Sequence, residues 1–261
     1  MSVVPNHAKR RLAAGELSLG MGLRQARTVD VATIAKTCDF DWLFIDMEHS
    51  ALDVDTASQI ALAGLGAGIT PIVRVPGHEH HHASRLLDTG AQGIVVPHVD
   101  SVEEAERVVS HCKYPPLGHR SVAGAQPLLS FRNTPVGEAT RLINEESLVV
   151  VMLETPQAIA NAEAIATVKG VDVLLIGTND LCAEIGIPGQ FADAKVEAAY
   201  QTVIAVCRKH GRYPGMGGVY EPALMQKYIA MGMRFILSGS DLSFMMAGGR
   251  DRTGFLRSLK I

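Results

Sequence analysis

LVVVMLE, residues 148–154, is a run of apolar side chains closed by a carboxylate. A run this short, with no polar alternation, fits a strand covered on both faces, the signature of a parallel sheet. VDVLLIG (171–177) repeats the pattern downstream. GIVVP (93–97), PIVRV (71–75), WLFIDM (42–47) and SLGMG (18–22) repeat it upstream, and RFILS (234–238) and the glycine-rich YPGMGGV (213–219) complete the set.

The segments between these runs read as helices. Val102, Ala105, Val108, Val109 and Cys112 share one helical face behind Ser101, a natural N-cap. Thr155-Pro156 places a cap residue before a proline suited to the first helical turn, and Gly170 suits the stop. Val196, Ala199, Tyr200, Val203 and Cys207 form another stripe, and Glu221-Pro222 opens a helix that Gly232 can close. Eight strand–helix units in 261 residues predict a (β/α)8 TIM barrel, a fold that typically takes ~250 residues, with a doubly wound sheet as the runner-up. Nothing divides the chain, so residues 1–261 are expected to form one domain. The stretch from Lys113 to Glu146, rich in proline, glycine and arginine, reads as a long loop region spanning 113–147.

Composition excludes several classes. A net charge of -3 with no basic stripe argues against nucleic acid. The longest weakly polar stretch, IALAGLGAGITPIV, is too short to span a bilayer and is broken by glycines and Pro71. No secretory signal is expected at Met1 to Arg11, and the four scattered cysteines suggest buried, reduced thiols, so the expected location is cytoplasmic.

In a barrel of this kind the active site lies at the C-terminal ends of the strands. Polar residues ending the apolar runs are therefore candidates: Asp46, Glu48 and His49 after the second run, Arg74 in the third, Glu154 after the fifth, and Gly177-Thr178-Asn179-Asp180 after the sixth. Glu154 and Asp180 suit a hard cation such as Mg²⁺ or Mn²⁺, although Asp180 could instead cap a helix starting at Leu181 and Glu154 could be a solvated strand end. Arg74 needs an anion, either from a substrate or from a barrel acid. His49 suits proton transfer near neutral pH or a structural role. Arg120 reads as an anchor for the long loop or, second, as a substrate contact, and Trp42 as core, while His98 and His119 have no evident partner. HEHHH (78–82) fits the zinc-hydrolase pattern H-E-x-x-H, but Pro76 and Gly77 make it a loop and first helical turn, where His78 and His82 need not share a face.

FDWLFIDMEHS (40–50), LLDTGAQGIVVPHVDSVEEAERVV (86–109), YPPLGHRSV (114–122) and ETPQAIANAEAIATVKGVDVLLIGTNDL (154–181) together resemble the HpcH/HpaI aldolase family, from about Leu19 to Ser240. The resemblance implies a metal-dependent aldolase that reversibly cleaves a 4-hydroxy-2-oxo acid to pyruvate and an aldehyde. It implies Glu154 and Asp180 as ligands of Mg²⁺ or Mn²⁺, with Co²⁺ possible, and His49 as the base acting through water. Arg74 would stabilise the enolate, Asp88 would support the histidine from a neighbouring subunit, and Gly177, Thr178, Asn179 and Asp180 would bind substrate. It further implies a homohexamer, a trimer of dimers. Another enolate-forming lyase acting on an acyl-CoA or a different 2-oxo acid is the alternative; a zinc hydrolase or a non-catalytic barrel is remote. Two positions depart from the family pattern: Thr178 replaces a proline, and Met152 replaces a substrate-contacting glutamine. GLRQART (22–28) also adds Arg24 and Arg27 near the acceptor side, as surface charges or as a preference for an acidic acceptor.

Overall fold

The apolar runs are the staves of a closed barrel. The computed structural model describes residues 3–260, and in it eight parallel strands follow one another in sequence order until the last pairs with the first. They are β1 (Ser18–Leu23), β2 (Trp42–Asp46), β3 (Thr70–Arg74), β4 (Gly93–Val96), β5 (Leu148–Leu153), β6 (Val173–Gly177), β7 (Tyr213–Gly217) and β8 (Phe235–Ser240). The first half carries helices α1 (His7–Ala13), α2 (Val31–Thr37), α3 (Val54–Ala67), α4 (His80–Asp88), α5 (Val102–Cys112) and α6 (Val136–Glu146). The second half carries α7 (Pro156–Ala160), α8 (Ala162–Thr167), α9 (Thr178–Glu184), α10 (Ala194–His210), α11 (Pro222–Met231) and α12 (Asp241–Ser258). The barrel reading therefore holds and the doubly wound alternative does not.

Side-chain parity explains how the barrel is filled and where its polar groups point. Successive residues of a strand face opposite sides. Trp42 and Phe44, Ile72, Leu148, Val150 and Met152, and Val173 and Leu175 pack together inside the barrel. Leu43 and Ile45, Val73, Val149, Val151 and Leu153, and Leu174 and Ile176 pack outward against the helices. Continued by two residues, the inward series reaches Asp46, Arg74, Glu154 and Gly177, all at the same rim. Trp42 stacks on Phe235 with ring centroids 4.0 Å apart, as expected of a core residue. Gly20 opposite it admits no side chain, because a Cβ there would lie 2.3 Å from the indole.

The other end is closed. Ala8 and Leu12 of α1 join the interior cluster, and the Asn6 amide donates to the carbonyls of Gln92 and Glu146. Entry to the interior is thus from the C-terminal ends of the strands.

Four details differ from expectation. The long segment is not wholly irregular, since it contains a short 3₁₀ turn, Pro127–Leu129, and the helix α6. The helix expected from Pro156 to Gly170 is broken at Asn161, whose side-chain amide donates to the Asp100 carbonyl at 2.7 Å. The helix expected from Leu181 begins at Thr178, so Asp180 lies within its first turn and does not precede it. Cys38 is exposed, whereas Cys112, Cys182 and Cys207 are buried as free thiols. Among the described residues no helix is long and apolar enough to cross a membrane.

Candidate active site

A cavity of about 460 Å³ opens at the rim and brings together Asp46, His49, Arg74, Met152, Gly177, Thr178, Asn179 and Asp180. A second hollow of about 300 Å³ lies beneath the 113–147 segment, and none of those strand-end residues lines it.

Arg74 is the most constrained of these groups. The β2–β3 register sets it beside Asp46, and the two form a fork: Nε donates to Oδ1 at 3.0 Å and Nη2 to Oδ2 at 2.8 Å. Nη1 lies 2.7 Å from Glu48 Oε2 and 4.0 Å from the Met152 sulfur, with the guanidinium 5.1 Å from the Phe44 ring centroid. The bridge to the barrel acids therefore exists, and the side chain also lines the cavity. Burial alone would raise the Asp46 carboxyl, but the Arg74 fork and the backbone N–H groups of His49 and Glu48 outweigh it and hold the group below its ordinary range.

Glu154 follows β5 at the same rim, next to Gly177. Its side chain is 1 % exposed, and its Oε2 accepts the His98 backbone N–H at 2.8 Å. Burial pushes the carboxyl up to about 7; the His98 contacts pull it back, and the charges of Asp180 and Glu48 add to the rise. Gly177 leaves the space this side chain occupies, because a Cβ there would come within 2.5 Å of Glu154 Oε1. Two neighbouring carboxylates, one of them desolvated, are the donor set a hard cation favours, so Glu154 and Asp180 fit a divalent ion. No group of three or more His, Cys, Asp or Glu among the described residues is arranged to hold a metal, so an ion bound by these two carboxylates would take its other ligands from water or substrate.

His49 is half-exposed, with its backbone N–H on Asp46 Oδ1 at 3.1 Å and its carbonyl accepting from Arg24 Nη2 at 3.0 Å. Asp88 does not join this group within the chain. It ends α4, where its Oδ1 accepts from the buried Arg120 Nη2 at 2.5 Å, with the guanidinium 4.5 Å from the Tyr114 ring centroid. Arg120 thus has the anchoring role expected of it. Thr178 lines the cavity, but its hydroxyl turns away to donate to the Gly217 carbonyl at 2.7 Å and to meet the Tyr200 hydroxyl at 2.7 Å.

The structure adds residues that sequence reasoning passed over. His98, in a left-handed conformation with φ 51°, carries its ring Nδ1 to 3.5 Å from Glu154 and its Nε2 to 3.9 Å from Glu48. Asp241 holds the backbone of Arg24 beside the site, and Tyr220 lines the cavity; burial raises the Tyr220 hydroxyl pKa, while the Gly218 backbone and the charges of Arg74 and Arg24 oppose the rise. Asp241 opens α12, where no local sequence pattern marks a role. The histidine run makes no zinc-protease face: His78 precedes α4 and lies 2.8 Å from the Pro97 carbonyl through its Nε2, while His82 lies within the helix.

A closed barrel floor, an arginine clamped by two acids, and a buried carboxylate beside a second, less buried one thus meet at one rim of the barrel. The chain belongs to the HpcH/HpaI aldolase/citrate lyase family, whose model matches residues 24–247. It is 38% identical, over 100% of this chain and 98% of the relative, to a 4-hydroxy-4-methyl-2-oxoglutarate aldolase of Hapsidospora irregularis. It is 37% identical, over 90% of each, to a 4-hydroxy-2-oxovalerate aldolase of Rhodococcus jostii. The crystal structure of an HpcH/HpaI aldolase from Desulfitobacterium hafniense superposes with a TM-score of 0.91 at 28% identity, covering 97% of both chains.

Proposed function

We propose that this aldolase cleaves a 4-hydroxy-2-oxo acid reversibly to pyruvate and a carbonyl acceptor, using a divalent ion held by Glu154 and Asp180. The observation that carries this reading is the buried Glu154 carboxyl, beside Asp180 and at the same rim as the clamped Arg74. Mg²⁺ or Mn²⁺ suits the oxygen donors, and Co²⁺ can use the same set. When bound, the ion supplies Lewis-acid stabilisation of the charge that develops on the donor's C2 oxygen.

The chain's own groups do the rest. Arg74, kept rigid by Asp46, adds fixed positive charge on the cavity side where the enolate forms. Gly177 and the backbone of Thr178 and Asn179 border the place for the donor carboxylate, with Asp180 behind them. His49 takes the 4-hydroxyl proton through a water as the C3–C4 bond breaks. The bonding pair becomes the enolate, and protonation of its methylene carbon gives the pyruvate methyl group. Met152, where many relatives carry glutamine, offers only a thioether, so the donor is held without that amide.

The protein acts in the cytoplasm as a homo-oligomer, a hexamer built as a trimer of dimers. The support for assembly is α12, in which no residue is buried and Met245 and Phe255 are 64% and 59% exposed.

Proton NMR of pyruvate in D₂O tests the half-reaction without knowledge of the acceptor. With the protein and Mg²⁺ or a low concentration of Mn²⁺, the methyl signal should decay by exchange, and chelation should stop the decay. A signal that persists with every divalent metal would remove pyruvate as donor.

A further inference from the structure

Arg24 and Arg27 follow β1 in the same loop, yet the structure gives them different surroundings. Arg27 turns outward, its Nη1 donating to the Ala51 carbonyl at 3.2 Å. Arg24 lines the cavity.

The backbone that carries Arg24 is held by one carboxylate. Asp241, the first residue of α12, accepts N–H bonds from three consecutive loop residues: Arg24 at 3.0 Å, Gln25 at 2.8 Å and Ala26 at 2.6 Å. Three converging donors on one acceptor set the loop's course far more firmly than its exposure would suggest. The side chain is steered as well, since Nη2 donates to the His49 carbonyl at 3.0 Å.

The Arg24 charge has no acid of its own. Its nearest carboxylate is Asp46, 3.9 Å from Nε, and both Asp46 oxygens already receive the Arg74 fork. Asp241 is engaged with main-chain donors. A half-exposed guanidinium at a cavity wall, positioned but not neutralised, is suited to an anion supplied from outside.

The wall around it is built to leave room. The β1–β8 register shifts between Gly20 and Gly22, and Gly22 and Gly239 both line the cavity. A Cβ on Gly22 would meet the Gly239 carbonyl at 3.1 Å, and Gly239 itself has φ 143°, a conformation that side chains rarely adopt. Ser240 and Ser243 supply hydroxyls on this side. The donor's proposed place is at Gly177, Asn179 and Asp180, on the β6 side, so the β1–β8 side is left for the acceptor.

We infer that Arg24, held in place by Asp241, is the acceptor-carboxylate anchor, and that the enzyme selects 4-hydroxy-2-oxo acids with a second, distal carboxylate. This rests on the aldolase reading above. Free phosphate or the carboxylate of the donor itself would meet the same guanidinium chemistry, so the test compares substrates that share the donor half and differ only at the distal end.

Cleavage of 4-hydroxy-2-oxoglutarate, which carries the distal carboxylate, is compared with cleavage of 4-hydroxy-2-oxovalerate, which carries a methyl group there. For the wild type, kcat/KM should favour the dicarboxylate. In Arg24→Met that preference should shrink at least about tenfold, chiefly through KM, as expected when a charged bidentate contact is lost. Arg24→Lys should recover part of it, and Asp241→Asn should lower it in the same direction by loosening the loop. An unchanged ratio in Arg24→Met, whether both substrates lose equally or neither loses, overturns the inference. Methyl exchange of pyruvate by the wild-type protein separates the two levels. Exchange with an unchanged ratio leaves the aldolase standing without this anchor, whereas no exchange with any divalent metal removes both.

Discussion

Glu154 is the residue at which the chemistry of the site can be measured most directly. Its folded pKa, about 7, lies above the ordinary 4.5, because burial disfavours the charged form. A cation must displace that proton, so metal affinity should fall about tenfold per pH unit below about 7 and level off above it. Without metal the sign of the stability effect follows from the same shift. A raised carboxyl stabilises the fold below its unfolded value of 4.5, and that contribution is lost as pH rises through about 7. Glu154→Gln should therefore raise the melting temperature of the metal-free protein at pH 8 and do so by less at pH 5. The same substitution should lower metal-dependent turnover by about a hundredfold or more. Equal melting shifts at both pH values would show that the buried charge is not what Glu154 contributes. This residue was legible beforehand because a polar side chain that ends an apolar strand run falls at the C-terminal rim of a barrel. His98 was not. Its contact with Glu154 depends on a left-handed backbone at φ 51°, which no periodicity announces.

The junction of β6, α9 and α10 shows how an element can absorb a departure at its first residue. Thr178 opens α9, where the family resemblance implies proline, and its hydroxyl bridges the Gly217 carbonyl of β7 and the Tyr200 hydroxyl of α10. Tyr200 is fully buried and stacks on Tyr228 with centroids 3.9 Å apart. Thr178→Val keeps the shape but leaves the Tyr200 hydroxyl without its partner, which should cost about 1–3 kcal/mol in urea unfolding. Tyr200→Phe leaves Thr178 bonded to Gly217 and should cost less. A Thr178→Val variant as stable as the wild type would show that the hydroxyl bridge does not hold the junction. The strands could be read from sequence because apolar runs covered on both faces carry their own signal. Helix α6 could not, because Ala139, Leu142 and Ile143 are diluted by Glu138, Arg141, Glu145 and Glu146 in a segment punctuated by proline and glycine. The break between α7 and α8 escaped for a different reason: Asn161 is held by Asp100, a partner distant in sequence.

At the scale of the whole molecule, the unresolved relation is between His49 and Asp88. One lines the cavity, and the other lies at the end of α4, fastened to Arg120 on a buried side chain. Within one chain Asp88 is therefore engaged elsewhere, while its carboxylate remains partly open to whatever approaches from outside. If assembly brings Asp88 of one copy against His49 of the next, each active site is composite. Light scattering of the purified protein should then give a multiple of the 27.9 kDa chain mass. Complementation tests the sharing itself. His49→Ala and Asp88→Asn should each be impaired alone. When the two variants are unfolded, mixed in equal amounts and refolded together, random assembly in a closed symmetric oligomer should restore up to about one quarter of the sites, those that receive an intact His49 and an intact Asp88 from different chains. Activity that rises in the mixture above both parents establishes a shared site. A mixture no better than the mean of its parents, in a protein shown to be oligomeric, would confine Asp88 to its pairing with Arg120 and leave His49 to act without it.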